Sequence, residues 1–222
     1  MRQIRQFNKF DNRLLLPAGF KPMLDNGHGG VINGVYQTPG KRSPNWQFGV
    51  LYEGVWNRLV INGVIAYLQE ANVPYYHLCP ELQDIPIRER VRRANAIYAK
   101  DRQTHIYSQH ANAGGGDGLE GFTSVGQTRS DIIAEYFLSL CEKRFKSEGV
   151  RFRYDTEKDG DKDKEKQFGI LRLTNAPAFL MEGPFMDHPK GYRQLNDHQF
   201  LEDWVCFVGE FFTTVYRHGI WL

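Results

Sequence analysis

Residues 21–30, Lys-Pro-Met-Leu-Asp-Asn-Gly-His-Gly-Gly, decide the fold. A short run through Met23 and Leu24 reaches Asp25 and then breaks at Gly27, Gly29 and Gly30, the pattern of a buried strand that ends in a tight loop presenting one side chain, His28. Further along, Val55, Trp56, Leu59, Val60, Val64, Leu68 and Ala71 recur at helical spacing, so residues 53–73 read as a helix that Glu53 opens and that packs one face on a sheet. Residues 75–78 read as a short strand, 86–100 as a basic helix and 104–109 as a strand ending at His110. Residues 119–125 form another strand, and 130–146 an amphipathic helix with Ile132, Ile133, Tyr136, Phe137 and Leu140 inward. Strands at 169–173 and 178–182 and a helix across 197–217 complete the chain.

Strands alternating with helices predict an α/β fold of three layers, a mainly parallel or mixed sheet flanked by helices in a single domain over residues 21–222. Residues 1–20 carry no clear period and read as an N-terminal extension or an edge element. In such sheets ligands bind beyond the C-terminal strand ends. His28, His110 and Glu182 each fall at such an end, and Glu53 starts a helix on the same rim, so residues far apart in sequence can converge. Two histidines and a carboxylate are a ligand set that holds a catalytic zinc with a position left open, and Glu182 adds a carboxylate suited to proton transfer. Each residue taken singly has a plainer reading. His28 suits a polar turn, Glu53 a helix start favoured by the dipole, and Glu182 a strand-end acid paired with an arginine.

With 222 residues, 41% of them apolar and 24% charged, the chain is large enough for one sizeable core and too small for a second full domain. A net charge of +2 is too mild for a nucleic-acid partner, which calls for concentrated Lys and Arg. Cys79, Cys141 and Cys206 are odd in number and widely spaced, and read as buried thiols rather than disulfides or ligands. Leu14-Leu15-Leu16 is too short for a secretory core, and no run reaches the roughly 20 apolar residues of a membrane span. The expectation is a product made in the cytoplasm without its own export signal and acting as a monomer.

The motifs in series resemble the zinc-dependent N-acetylmuramoyl-L-alanine amidases of bacterial cell-wall remodelling enzymes and phage endolysins. The resemblance runs from about Met23 to the C-terminal helix. It rests on the turn Asp25-Asn26-Gly27-His28-Gly29-Gly30, on Glu53, and on Arg88-Glu89-Arg90-Val91-Arg92-Arg93-Ala94-Asn95. Ser108-Gln109-His110-Ala111-Asn112-Ala113 before a Gly-rich loop, Phe168-Gly169-Ile170-Leu171-Arg172, and Pro177-Ala178-Phe179-Leu180-Met181-Glu182-Gly183 complete it. Asn26 stands where the family usually has Pro, Gln109 replaces a usual aliphatic residue, and Pro184-Phe185-Met186-Asp187 alters the common ending.

The resemblance implies that His28, Glu53 and His110 bind zinc, and that Glu182 is the general base toward water and later the acid toward the leaving amine. The bond cut would join the lactyl group of N-acetylmuramic acid to L-alanine in peptidoglycan. Asn112 and Glu120 are candidate substrate contacts, Glu120 also as a helper carboxylate. Arg88, Arg90, Arg92 and Arg93 read as a solvated helix face, with Arg92 the one most suited to support the site or bind a stem-peptide carboxylate. The segment 155–163 resembles the first positions of a calcium loop, but Lys166 takes the place of its bidentate Glu, so it reads as a charged solvated loop. The implied setting is a phage or prophage lytic enzyme. The competing readings are a zinc carboxypeptidase-like enzyme and a catalytically silent wall-binding or virion module.

Overall fold

The computed structural model describes residues 14–155 and 160–221. The chain opens with β1 (Leu14–Leu16), β2 (Lys21–Asn26), a small hairpin of β3 (Val31–Ile32) and β4 (Val35–Tyr36), and the helix α1 (Glu53–Glu70). It continues with β5 (Tyr76–His77), α2 (Ile87–Lys100), β6 (Thr104–Asn112), β7 (Glu120–Thr123) and α3 (Arg129–Phe145). The last third holds β8 (Lys164–Glu165), the single-turn helix α4 (Gly169–Arg172), β9 (Ala178–Phe185), α5 (Pro189–Leu195), α6 (His198–His218) and β10 (Ile220–Trp221).

The central sheet has the order β5-β2-β6-β9-β7-β8. All its pairings are parallel except β7 with β9, so the sheet is mixed and the predicted three-layer α/β class holds. Period-two alternation assigns the two faces. Leu24, Tyr107, Phe179 and Met181 enter a core shared with α1, α3 and α6, while Met23, Ile106, Ala178 and Leu180 enter a smaller one shared with α2 and α4. Both faces are covered, so even the polar residues of these strands, among them Asp25, Ser108 and Gln109, are buried, and β9 alone reads as a nearly unbroken apolar run.

Three sequence expectations change, and one open alternative is decided for the described residues of the N-terminal segment. Residues 169–173 form the helical turn α4 rather than a strand, since the Phe168 carbonyl accepts from the Leu171 and Arg172 amides. Adjacent Ile170 and Leu171 are both buried in the smaller core, whereas a strand would have sent them to opposite faces. The charged loop contributes an edge strand, β8, and buries Asp163, to which the Thr123 hydroxyl donates. β1 pairs with β10, and Leu16 and Phe20 belong to the larger core, so the described end of the N-terminal segment is an integrated edge element. The third change is at the site. His110 and Glu182 lie within β6 and β9 rather than beyond their ends. Among the described residues no helix is long and apolar enough to cross a membrane.

Candidate active site

Sheet register builds half of the site. Asp25 lies level with Ser108 and Ser108 with Leu180, while one step higher His110 lies level with Glu182 and Glu182 with Glu120. Side chains level with one another on neighbouring strands share a face about 5 Å apart, so His110, Glu182 and Glu120 form a row across β6, β9 and β7. Gly27 follows β2 directly above this row, and its amide donates to the Gln109 carbonyl. A Cβ there would lie 2.1 Å from His110 Cε1, so only glycine lets the turn close over the imidazole.

His28 and Glu53 complete the cluster from outside the sheet. His28 adopts a left-handed backbone, φ 68°, which a non-glycine residue holds only where its surroundings compel it. They do so here: the His28 carbonyl accepts from Arg58 Nη2 at 3.0 Å and Arg90 Nη2 at 3.4 Å, and Asn57 Nδ2 donates to the Gly27 carbonyl at 2.9 Å. Glu53 is the first residue of α1, whose N-cap Tyr52 supplies no side-chain cap. Tyr36 caps the helix from a distance instead. Its hydroxyl accepts from the Gly54 amide at 2.9 Å and donates to the Lys41 carbonyl at 3.0 Å, which also accepts from the Glu53 amide at 3.0 Å.

Both imidazoles converge on one oxygen. His110 Nδ1 lies 2.9 Å and His28 Nε2 3.2 Å from Glu53 Oε1, and the two rings meet edge to face at 5.0 Å. One ligand atom from each of the three residues lies within 4.8 Å of the others, inside the reach of one shared cation. Burial works against charge on Glu53, but the hydrogen bond with His110 and the close approach of both imidazoles hold its carboxyl far below the usual range. Burial likewise opposes a proton on His110, yet Glu53, Glu182 and Asp25 raise its pKa. Such a cluster fits a divalent ion, because the ion takes over the work of the protons that bind mutually attracting groups. His28 Nε2 is buried and outside hydrogen-bond geometry, so a ligand atom stands available.

Glu182 is of a different kind. Burial pushes its pKa up to about 7, against the charge of His110 and with help from Glu53. Its Oε2 is buried without a hydrogen-bond partner, and the side chain lines a cleft of about 230 Å³ together with His28 and His110. A carboxyl poised near neutrality beside a cation site suits proton transfer in both directions. The turn α4 and Ile87 of α2 wall this cleft, so the departure of residues 169–173 from a strand shapes the site.

Three predicted substrate contacts fall elsewhere. Arg92 is 68% exposed, binds Glu89 through two hydrogen bonds and does not line the cleft. The arginine that does is Arg90, whose guanidinium donates to Asp25 at 2.6 Å, the Asn26 carbonyl at 2.9 Å and the Ile85 carbonyl at 2.8 Å. Its periodicity could have revealed it, because Arg90, Ala94 and Tyr98 form the buried stripe of α2 and Arg92 does not belong to it. Asn112 and Glu120 are a buried pair joined at 2.6 Å, with Arg153 and Lys164 also bound to Glu120, and neither lines the cleft. Glu120, level with Glu182 in the sheet, also acts on it through its charge, which helps raise the pKa of Glu182.

The model of the N-acetylmuramoyl-L-alanine amidase family matches residues 23–205, more than half of the chain and all of this site. The chain belongs to that family. It is a hydrolase of the bond between N-acetylmuramic acid and L-alanine in peptidoglycan. No curated protein matches this amidase sequence. Solved structures do match its fold. An N-acetylmuramoyl-L-alanine amidase from Clostridium difficile 630 is 20% identical with a TM-score of 0.67, over 89% of this chain and 96% of that one. The amidase AmiC2 of Nostoc punctiforme is 18% identical at 0.65, over 88% and 96%. The catalytic domain of an endolysin targeting Clostridia difficile is 16% identical at 0.60, over 87% and 96%.

Proposed function

We propose that this amidase is zinc-dependent, with His28, Glu53 and His110 as the ligands and Glu182 as the catalytic acid and base. The observation that carries this reading is the convergence of both imidazoles on Glu53, with an unpartnered buried carboxyl in register beside them. Two nitrogens and one carboxylate oxygen are a donor set that zinc favours in hydrolases, leaving one position open. When bound, zinc supplies Lewis-acid chemistry, polarising a carbonyl and acidifying water. The remaining steps belong to the chain. Glu182 takes the proton of the attacking water and hands it to the nitrogen of the departing L-alanine, and the burial that raises its pKa favours the second of these transfers. The Asp25–Arg90 pair and Arg58 hold the His28 turn, and the Gly27 approach keeps the His110 ring in place.

Digestion of purified peptidoglycan followed by mass spectrometry tests the reaction. Expected products are glycan ending in free lactyl groups and intact stem peptides, made only by metal-loaded enzyme and restored after chelation by zinc. Shortened stem peptides would instead mark a carboxypeptidase, and no product a silent module.

We also propose a lytic role on the wall, after release from the cell that makes the enzyme, supported by the fold shared with the endolysin catalytic domain. Such an enzyme strips purified walls without an added cellular activator. A strict need for one would contradict the role.

A further inference from the structure

Two cationic side chains line the catalytic cleft, Arg90 and Lys41. Arg90 is saturated by Asp25, Asp84 and three carbonyls. Lys41 is the opposite case. Its side chain is exposed, and among the described residues no carboxylate pairs with it, although Asp84 sits in the same cleft and is engaged by Thr38 and Arg90. The charge of Lys41 nevertheless reaches Glu182 and lowers its pKa.

The backbone beneath this lysine is fixed. The Lys41 amide donates to Thr38, its carbonyl accepts from Glu53 and Tyr36, Arg42 bridges Tyr52, and Ser43 donates to Leu51. The rim that carries the ammonium is therefore tied directly to the first residue of α1, which is also a proposed zinc ligand. An exposed cation on this rim, with no carboxylate partner among the described residues, is suited to meet an anion that arrives with the substrate.

Substrate chemistry says where that anion lies. On the glycan side the lactyl carboxyl is consumed in the scissile amide, leaving neutral hydroxyls and acetamides. On the peptide side the carboxyl of L-alanine is consumed in the next amide, so the first free carboxylate belongs to the second residue, isoglutamate. Lys41 and Glu182 line the same small cleft of about 230 Å³, so a carboxylate one residue beyond the scissile amide lies on the side of the site where Lys41 stands.

We propose that Lys41 is a specificity residue that binds the α-carboxylate of the second stem-peptide residue and so fixes which end of the cleft receives the peptide. This inference rests on the amidase reading given above. It makes the enzyme a discriminator between walls with a free carboxylate at that residue and walls in which it is amidated.

The test uses N-acetylmuramoyl tripeptides that differ only in isoglutamate or isoglutamine at the second position, cleaved by zinc-loaded wild type, K41M and K41R. Wild type is expected to prefer the carboxylate by about tenfold in kcat/KM, the scale of one charge-assisted hydrogen bond. K41M should bring the ratio close to one and K41R should restore a preference. Equal rates on both substrates with wild type, or an undiminished preference in K41M, would overturn the carboxylate subsite alone. Cleavage of neither substrate would overturn the amidase reading and this inference with it.

Discussion

His110 and Glu182 are carried by adjacent strands in the middle of the sheet, whereas His28 and Glu53 are carried by a turn and a helix start that no ladder reaches. The first pair inherits its spacing from register, which backbone hydrogen bonds and two covered faces enforce. The second pair depends on side-chain anchors: Arg58 and Arg90 on the His28 carbonyl, Tyr36 on the start of α1. One half of the site is thus held by the fold itself and the other by a few polar contacts. Substitutions that spare the ligands should therefore disturb the second half far more readily than the first.

The largest expected effect separates chemistry from construction. Glu182→Gln removes the proton carrier while keeping register and ligands, so turnover should fall about 10²- to 10⁴-fold with stoichiometric metal retained. Near wild-type kcat would exclude Glu182 as the base. Next in size is Arg90→Ala, which leaves Asp25 charged, buried and deprived of its partner at 2.6 Å. Breaking a buried pair of this kind costs about 3–5 kcal/mol, readable as a lowered urea midpoint, and metal affinity should fall with it as the His28 turn loosens. Unchanged stability would show that the turn does not depend on this anchor.

Tyr36→Phe is a milder probe of the same half. The ring still stacks on Tyr52, but the Gly54 amide loses its acceptor and the Lys41 carbonyl one donor. About 1–3 kcal/mol of stability and roughly tenfold in metal affinity should go, measured by denaturation and competitive zinc titration. A loss of stability with no change in affinity would mean that Glu53 is positioned independently of its cap.

His105 probes the half that the sheet holds. Fully buried against Phe212, with neither ring nitrogen hydrogen-bonded, its imidazole has its pKa pushed down to about 3 by burial. The unfolded chain takes up this proton near the ordinary value of 6.5 and the folded one does not, so stability is complete above that value and falls as the pH drops toward about 3. His105→Leu should remove that part of the acid loss, about 1.4 kcal/mol one pH unit below the unfolded value. Denaturation curves at pH 5.5 and 7.5 compare the two proteins, and parallel acid losses would show that His105 does not carry the effect.

The same division explains what the sequence discloses. The sheet-borne residues are legible because Glu182 ends the apolar run Ala178-Phe179-Leu180-Met181 and His110 follows the short strand opened by Ile106 and Tyr107, and the Gly-rich turn announces His28. Glu53 is legible as a helix start, but its cap is not, since Tyr36 lies 17 positions earlier in a hairpin with little periodicity. Arg90 and Arg92 differ by two positions on one basic helix, and only the stripe through Ala94 and Tyr98 tells the buried one from the exposed one. Residues 169–173 escape because five residues are too few for either period to show itself, and their single turn is fixed by the Phe168 carbonyl and by burial. Gln109 stands out in the sequence as a polar residue in an aliphatic slot. Its amide accepts from Tyr107 and Trp204 and donates to the His110 carbonyl, which couples α6 to the strand that carries the ligand.

The central claim is that one cation unites the two halves. A crystal structure of Glu182→Gln soaked with zinc, with data collected at the zinc absorption edge, tests it directly. The account predicts a single anomalous peak about 2.0–2.2 Å from a nitrogen of His28, a nitrogen of His110 and an oxygen of Glu53. A fully occupied peak bound elsewhere, or one that leaves out His28 or Glu53, would contradict it.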